Sequence, residues 1–284
     1  MAVLKSIGSA LAHGTRWLGA LPTARRDAEL LLMRVLVCDR AYLLTHPEME
    51  LTAEQTAIYV GCLARRARHE PVQYIIGEQE FFGLKFRVTP DVLIPRPETE
   101  HLVEATLART DGDASLHIAD IGTGSGAIAV ALAHALPRAR VTALDISTAA
   151  LSVAHENAES HGVSDRIRFL KSDLLTAVAG EQFDMIVSNP PYVAEGEELE
   201  SQVRDYEPGS ALFAGPDGLD VYRRLIPQAQ AAVKPGGWLL LEIGHGQRDA
   251  LERLLTGWED VSFLADLQGI PRVACARKSR ESAS

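Results

Sequence analysis

Cysteines are scarce in this sequence of 284 residues, and they lie far apart. Cys38, Cys62 and Cys275 form no CxxC pair, and an odd number does not suit a disulfide framework. A cysteine-based zinc site usually contains a closely spaced pair, and a disulfide framework needs an even number of cysteines, so neither is expected and no metal site is predicted. We expect buried thiols in a reducing compartment, and hence a cytoplasmic protein.

Long apolar runs and an excess of positive charge are also missing. No stretch reaches the roughly 18 apolar residues that a membrane span requires. The opening MAVLKSIGSALAHG lacks the continuous apolar segment of a signal peptide. The net charge is −10, whereas sequence-independent binding to nucleic acid relies on Lys and Arg that neutralise phosphates. Neither membrane association nor direct nucleic-acid binding is therefore expected.

The hydrophobic pattern changes along the chain and predicts two domains. Residues 1–77 place apolar side chains at helical spacing, as in Ala24 to Val37, and predict a small helical bundle. Residues 78–97 combine apolar alternation around Gly83 with a proline on each side of Arg96, and predict a connecting strand pair. Residues 98–284 alternate between strand and helix patterns and form the predicted second domain.

The second domain is predicted to have an α/β fold. Its strand candidates are 116–121, 140–146, 167–172, 183–188, 238–243, 261–267 and 272–276, and its helical stretches are about 126–136, 148–161, 219–233 and 246–256. Such alternation predicts a mostly parallel sheet with helices on both faces. A short Gly269-Ile270-Pro271 turn predicts that the last two strands are antiparallel.

A glycine-rich segment and an aspartate indicate a nucleoside cofactor. The segment follows the first predicted strand of this domain and consists of Gly122, Thr123, Gly124, Ser125 and Gly126. Glycines there allow the backbone to approach a ligand at a helix N-terminus. Asp145 ends the next strand, where a carboxylate can accept both hydroxyls of a ribose. NAD and S-adenosylmethionine both fit this pattern.

Asp173 and Leu174 follow the third predicted strand of the domain. A polar group there could reach the adenine of a cofactor lying across the strand ends, and Leu174 could pack on the face of that adenine. A loop aspartate without a role explains Asp173 equally well.

The sequence Asn189-Pro190-Pro191-Tyr192 follows the apolar strand 183–188. Ligands of open α/β sheets bind beyond the carboxyl ends of the strands, where this segment lies. The carbonyl groups of Asn189 and Pro190 can accept both hydrogens of a target –NH2, and Tyr192 offers a flat face to a planar amide or base. An amide nitrogen is a poor nucleophile, so the segment is predicted to supply orientation and charge stabilisation to methyl transfer.

Other polar residues near these segments have competing interpretations. Arg96, Glu98 and Glu100 border the predicted pocket or begin the next helix. The loop containing Tyr206, Glu207 and Pro208 could cover the target. Glu242 lies at the end of the predicted strand 238–243 and His245 follows this strand; a lone loop histidine such as His245 is more often structural than catalytic.

Over about residues 20–277 the chain closely resembles the HemK/PrmC-type release-factor glutamine methyltransferases. The resemblance rests on RRDAELLL at 25–32, EPVQYIIGEQEFFGLKFRVTPDVLIPRPETE at 70–100, DIGTGSGAIAV at 120–130, NPPY at 189–192 and YEPGSALFAGPDGLDVYRRLI at 206–226. It implies a Rossmann-like class I methyltransferase sheet and S-adenosylmethionine as cofactor. It also implies N5-methylation of the glutamine in the Gly-Gly-Gln loop of peptide chain release factors.

The resemblance also assigns roles to residues. It implies a cofactor site at Gly122–Gly126, Asp145, Leu174 and Asn189, and a substrate glutamine site at Asn189–Tyr192. Asn189, Pro190 and Tyr192 would be the catalytic groups, and residues 1–77 would dock the release factor.

Four other functions remain open on sequence grounds. A ribosomal-protein glutamine methyltransferase shares the NPPY segment. A nucleic-acid adenine or guanine N-methyltransferase could use the same chemistry on a flipped base, although the negative charge argues against it. A non-catalytic cofactor-binding module and an NAD oxidoreductase are disfavoured by the intact NPPY segment and by the lack of a hydride-transfer site.

Overall fold

The computed structural model describes residues 5–110 and 115–280, so the outer ends of both predicted domains, at 1–4 and 281–284, lie outside the described residues. The described chain divides into two compact units. The helical unit comprises the described residues up to Glu78 together with Leu199–Tyr206. The sheet unit comprises Gln79–Glu198 and the chain from Glu207 onward, so it contains nearly all of the predicted 78–97 connection.

The helical unit consists of short helices with polar caps. Its helices are α1 (Ile7–Trp17), α2 (Ala24–Leu36), α3 (Arg40–Thr45), α4 (Ala53–Arg66), α5 (Val72–Ile76) and a later one-turn helix, α9 (Ser201–Arg204). Ser6 and Thr52 begin α1 and α4 in capping boxes, in which the side chains of Ser9 and Gln55 return a bond to the cap. Because backbone donors at a helix start lack internal partners, these caps determine where the helices begin.

The core of the helical unit contains an apolar cluster and one buried ion pair. Leu31 and Leu32 of α2 pack with Tyr59 and Leu63 of α4, and all four are fully buried. Beside them, Arg66 Nε donates to Asp27 Oδ2 at 2.7 Å, with both side chains nearly inaccessible to solvent. A buried charge needs such a partner, so α2 and α4 are joined at a defined register.

The sheet unit alternates strands and helices after an initial strand pair. Its elements are β1 (Glu78–Phe81), β2 (Leu84–Arg87), α6 (Glu100–Leu107), β3 (His117–Ile121), α7 (Ala127–Ala135), β4 (Arg140–Asp145), α8 (Thr148–Ser160), β5 (Ile167–Lys171), β6 (Phe183–Ser188), α10 (Asp220–Ala232), β7 (Val233–Glu242), α11 (Arg248–Leu254), β8 (Glu259–Ala265) and β9 (Pro271–Arg277). The predicted α/β class is confirmed. Of the helices in the described ranges, none is long and apolar enough to cross a membrane.

Seven strands form one sheet in the order β5-β4-β3-β6-β7-β9-β8. In this order, the strands from β5 to β7 are parallel to one another. Strand β9 runs antiparallel to both β7 and β8. The antiparallel pairing of β8 with β9 is the one that the short final turn predicted. After β3 the chain builds outward to β4 and β5, and it then crosses back to place β6 on the other side of β3. The carboxyl ends of β3 and β6 therefore flank the position at which sheets of this type open a crevice.

Apolar side chains on alternate positions of the strands face two separate cores. Met185 of β6 packs in the core that contains Leu132 of α7, whereas the next residue, Ile186, packs with Tyr222 of α10 and Leu251 of α11. Because successive strand side chains point to opposite faces, helices cover the sheet on both sides.

Two strands, β7 and β8, differ from the predicted bounds by more than one residue. Strand β7 begins at Val233 and not at 238, because a register shift opposite Phe183 and Met185 accommodates the Pro235-Gly236-Gly237 sequence that reads as a turn. Strand β8 begins at Glu259 and ends at Ala265, which leaves Leu267 fully exposed. In both cases pairing with a neighbouring strand, and not local sequence preference, decides the end of the strand.

Candidate functional site

The ends of β3 and β6 are held together directly. Ile121 and Ser188 are register partners in the parallel ladder, and Ser188 Oγ donates to the Ile121 carbonyl at 2.7 Å. The glycine-rich segment follows Ile121, and Asn189 follows Ser188. Two segments that are more than sixty residues apart in sequence therefore emerge side by side at the crevice.

A cavity of about 260 Å³ opens at this point in the sheet unit. Its walls include most of the residues predicted for a cofactor or substrate site: Gly122, Thr123, Gly124, Ser125, Asp145, Asp173, Leu174, Asn189 and Pro191. Apolar wall residues include Val92, Ile128 and Ile146. The structure thus brings the ends of four strands around one space.

The glycine-rich segment forms a tight turn that leads into α7. Gly122, Gly124 and Gly126 have φ angles of 71°, 54° and 80°, a region that L side chains rarely occupy. A Cβ atom on Gly126 would stand 3.0 Å from Ala154 Cβ and 3.1 Å from Ala154 Cα on α8. Gly126 therefore allows α7 to pack closely on α8, whereas Gly124 lines the cavity.

Asp145 is anchored by two backbone donors. Its Oδ2 accepts from Gly124 N–H and its Oδ1 accepts from Ser147 N–H, both at 2.9 Å. Ser147 itself caps α8 by accepting from Ala150 N–H, so Asp145 is not the cap of this helix. Burial raises the pKa of the Asp145 carboxyl, and the backbone donors oppose this rise. Each carboxylate oxygen keeps a further lone pair for a ligand hydroxyl.

Asp173 and Leu174 both line the cavity, but they differ in their surroundings. Asp173 Oδ2 accepts from Arg224 Nη2 at 2.5 Å, and both side chains are about half exposed. Leu174 has a φ of 52°, an uncommon conformation for a residue with a side chain. The partner of Asp173 could not be found from the sequence, since Arg224 lies on α10.

The amide group of Asn189 reaches the residue that precedes α6. Asn189 Nδ2 donates to Thr99 Oγ1 at 3.0 Å, and Thr99 is buried. Pro190 is also buried, and Pro191 contributes to the cavity wall. With its nitrogen bound to Thr99, the Asn189 side chain has its carbonyl oxygen left as the group that can accept from a ligand.

Tyr192 is held at both its hydroxyl and its backbone. Its hydroxyl donates to Glu242 Oε1 at 3.3 Å, and its backbone carbonyl accepts from Gln247 Nε2 at 3.0 Å. A Cβ on Gly244 would stand 3.0 Å from Tyr192 Cδ2, so the ring lies against bare backbone. Burial and the neighbouring Glu242 carboxyl raise the pKa of the Tyr192 phenol, which keeps it protonated.

Two carboxyl groups lie buried beneath the site. Asp120 accepts from Thr123 Oγ1 at 2.7 Å, and burial raises its pKa to about 7. Burial likewise raises the pKa of Glu242 to about 7, although the hydroxyls of Thr99 and Tyr192 favour its ionised form. Such buried carboxyl groups occur where a protein needs a polar group in a defined orientation.

The remaining polar residues take mainly structural positions. Arg96 Nη2 donates to Glu207 Oε1 at 2.5 Å, and the buried Glu207 also accepts from Ile94 N–H. Glu100 begins α6 and accepts from Phe82 N–H at 2.8 Å. His245 is exposed beside the site. In the helical unit, the Tyr206 hydroxyl donates to the Arg68 carbonyl.

Comparison with family models and curated proteins identifies relatives of this chain. Residues 9–77 match the PrmC N-terminal domain, and residues 98–205 match the methyltransferase small domain. The release factor glutamine methyltransferase of Koribacter versatilis is 51% identical over 260 residues, which cover 90% of this chain and 92% of the relative. The enzyme of that name from Geobacter sulfurreducens is 45% identical and covers 89% of each chain. This chain belongs to the release factor glutamine methyltransferase family.

Solved structures place the fold of this family member among class I methyltransferases. The 16S rRNA N2 G1207 methyltransferase of T. thermophilus, solved with AdoMet and guanosine, superposes with a TM-score of 0.54. It is 22% identical, and the match covers 71% of this chain and 49% of that one. At this identity the likeness establishes the fold, and the predicted class I sheet is confirmed.

Sequence reasoning missed two residues of this family member's site. The sequence pattern gives Thr99 no role, and it places Glu242 only at the end of a strand. Thr99 lies in the PRPETE segment, which was singled out for its charged residues, and Glu242 ends an apolar strand. A lone acid at the end of a buried strand was the available signal for Glu242.

Proposed function

We propose that this protein uses S-adenosylmethionine to methylate N5 of the glutamine in the Gly-Gly-Gln loop of peptide chain release factors. One observation carries the proposal. The NPPY segment, with the Asn189 amide oriented by Thr99, emerges beside the glycine-rich segment in a chain of this family. We place the reaction in the cytoplasm and expect no direct contact with nucleic acid.

The cavity has the chemistry that a nucleoside cofactor requires. Asp145 is fixed by Gly124 and Ser147 and can accept from ribose hydroxyls, which favours a nucleoside over a simple anion. Leu174 and Ile146 offer apolar surface for a purine, and Asp173 lies in the same wall as a polar partner. Gly122–Gly126 lets the backbone approach the rest of the cofactor, and Asn189 borders it.

S-adenosylmethionine supplies an electrophilic methyl group on a sulfonium, so the chain itself needs to activate only the acceptor. The carbonyls of Asn189 and Pro190 accept the two hydrogens of the target amide and turn its nitrogen toward the cavity. Pro191 keeps this segment rigid, and the Tyr192 ring supports the flat amide group. These groups would stabilise the positive charge that develops on nitrogen as the methyl group passes to it from sulfur, and the nitrogen would then release one of its two protons.

The helical unit, residues 1–77 in the predicted boundaries, takes the role of docking the release factor. The match of residues 9–77 to the PrmC N-terminal domain supports this assignment. Deleting residues 1–77 should raise the KM for an intact release factor far more than the KM for a short Gly-Gly-Gln peptide. Equal effects on both substrates would contradict the docking role.

The decisive experiment is a methyl-transfer assay with labelled S-adenosylmethionine and mass mapping of the product. A purified release factor, ribosomal proteins and duplex DNA are tested in parallel. Label on the Gly-Gly-Gln glutamine, lost when that glutamine is replaced, is the expected result. Label on ribosomal protein or DNA, with none on the release factor, would overturn the substrate assignment.

A further inference from the structure

Two buried hydrogen bonds hold the two side chains that would receive the target amide, and they bring Thr99 and Glu242 beneath the NPPY segment. Asn189 Nδ2 lies 3.0 Å from Thr99 Oγ1, and the Tyr192 hydroxyl lies 3.3 Å from Glu242 Oε1. The Thr99 hydroxyl is close enough to the Glu242 carboxyl to favour its ionised form. Thr99 is 4% exposed and Glu242 is 2% exposed, so bulk water does not compete for these bonds.

If the Glu242 carboxyl is ionised, it determines which neighbouring groups donate and which accept hydrogen bonds. An ionised carboxyl has no proton to donate, so both hydroxyls that face it must act as donors. Thr99 has a single hydroxyl proton, and once this points toward Glu242 its oxygen can only accept from Asn189. The Asn189 amide must then turn its –NH2 to Thr99 and its carbonyl oxygen away from it.

The opposite hydrogen-bond direction would turn the –NH2 group of Asn189, and not its carbonyl oxygen, toward the target amide. If Glu242 were neutral, it could donate to Thr99, and the Thr99 proton could point toward Asn189. The Asn189 amide could then rotate and present its own –NH2 to the –NH2 of the target. Two donors cannot bond each other, so the target would lose one of its two acceptors.

We propose that Glu242 is a positioning residue which, through Thr99 and Tyr192, fixes the Asn189 carbonyl and the Tyr192 ring toward the target amide. This inference rests on the proposed function, since it explains how the NPPY segment is held in its receptive orientation. Glu242 Oε2 accepts no hydrogen bond of normal geometry within the described ranges, so the carboxyl has spare capacity for the Thr99 proton.

The charged groups around Glu242 permit a test by pH. Burial and the nearby Glu98 raise its pKa, whereas Arg272 and the hydroxyls of Thr99 and Tyr192 lower it, and the result is about 7. As pH falls through this value the Glu242 carboxyl gains a proton. It can then donate to Thr99, and the donor and acceptor roles of Thr99 and Asn189 can be exchanged. We therefore expect kcat of the wild type to fall below about pH 7, and this loss to be absent in Glu242→Gln.

The test compares four variants in single-turnover methyl transfer to the release factor. Glu242→Gln and Thr99→Val should lower kcat roughly 10²-fold, the scale expected for a misplaced reacting group. Their Kd for S-adenosylmethionine should change little. Thr99→Ser keeps the hydroxyl and should restore turnover. Thr106→Val is the matched control, because Thr106 is equally buried on α6 and its hydroxyl donates to the Leu102 carbonyl.

A second readout does not depend on activity. The side-chain –NH2 signals of Asn189 in the 15N NMR spectrum should exchange slowly with water in the wild type. Exchange should be faster in Glu242→Gln and Thr99→Val, but not in Thr106→Val. Unchanged kcat and unchanged –NH2 exchange in both Glu242→Gln and Thr99→Val would overturn the proposal. An inactive wild type would overturn the proposed function instead, and the exchange measurement would still decide the role of Glu242.

Discussion

Asp145 shows how one side chain can serve both the fold and a ligand. Its two oxygens already accept from Gly124 and Ser147 backbone groups, which fixes the carboxylate at the cavity wall. Because the Asp145 side chain is already ordered, binding of a ribose does not carry the entropy cost of ordering it. The cofactor role proposed for Asp145 therefore has a structural basis beyond its place at a strand end.

Asp145→Ala should weaken binding of S-adenosylmethionine by about 10–100-fold, since a hydrogen bond to a charged group contributes about 1.5–3 kcal/mol. Isothermal titration calorimetry measures the Kd. Asp173→Ala is the comparison and should cost less affinity, because Asp173 lines the same cavity but is half exposed and already paired with Arg224. A smaller loss for Asp145→Ala than for Asp173→Ala would contradict the assignment.

Asn189→Ala removes a proposed acceptor for the target amide. We expect kcat to fall by about 10²–10³, the range measured when one preorganised charge-stabilising group is lost. The Kd for S-adenosylmethionine should change much less, because Asn189 is one of many cavity residues. Rapid-quench single-turnover assays separate the two effects. Unchanged turnover would remove Asn189 from the mechanism.

At the scale of elements, the contact between α7 and α8 determines the form of the glycine-rich segment. Residue Gly126 both ends this segment and lies against Ala154, so the turn and the helix packing depend on the same position. The buried run of small residues in α7 allows the helix to lie close to the sheet.

Gly126→Ala should lower the free energy of unfolding through both its positive φ and its contact with α8. The close contact alone should cost about 1–3 kcal/mol. Gly162→Ala is the control, since Gly162 also has a positive φ of 66° but a Cβ there meets no atom within 4 Å. Urea denaturation of both variants should show the larger loss for Gly126→Ala. Equal losses in the free energy of unfolding would mean that backbone strain, and not packing against α8, explains why residue 126 is a glycine.

At the scale of the whole molecule, buried carboxyl groups make stability depend on pH. The pKa values of Asp120 and Glu242 rise from 3.8 and 4.5 to about 7 on folding. The folded protein therefore binds more protons than the unfolded chain between about pH 4 and pH 7. The contribution of each group to stability is full at low pH and is lost as pH rises toward 7.

The free energy of unfolding of the wild type should decline between pH 4.5 and 7 relative to the variant Asp120→Asn/Glu242→Gln. The limiting slope is about 1.4 kcal/mol per pH unit for each carboxyl. His117 opposes the trend, because burial lowers its pKa, and comparison with the double variant cancels this effect. Urea denaturation across this range is the measurement. A pH-independent difference between the two proteins would contradict the assignment.

Much of the fold could be predicted from the sequence because local patterns carry it. Period-two and period-3.6 repeats of apolar residues located strands and helices to within a few residues in most cases, since these repeats decide which faces can be buried. The glycine-rich segment, Asp145 and Asn189 to Tyr192 could be predicted to lie together because each stands at or just after the end of a strand. The carboxyl ends of parallel strands meet at one edge, so their convergence followed from topology.

Tertiary structure alone decided what each of these residues touches. The sequence by itself determined the α/β class and most of the predicted residues that line the cavity. Only the folded chain brings Thr99 to Asn189 and Glu242 to Tyr192, because these pairs are 90 and 50 residues apart and come from separate elements. Hydrogen-bond direction and the pKa values of buried carboxyl groups depend on such distant neighbours, which no local pattern encodes.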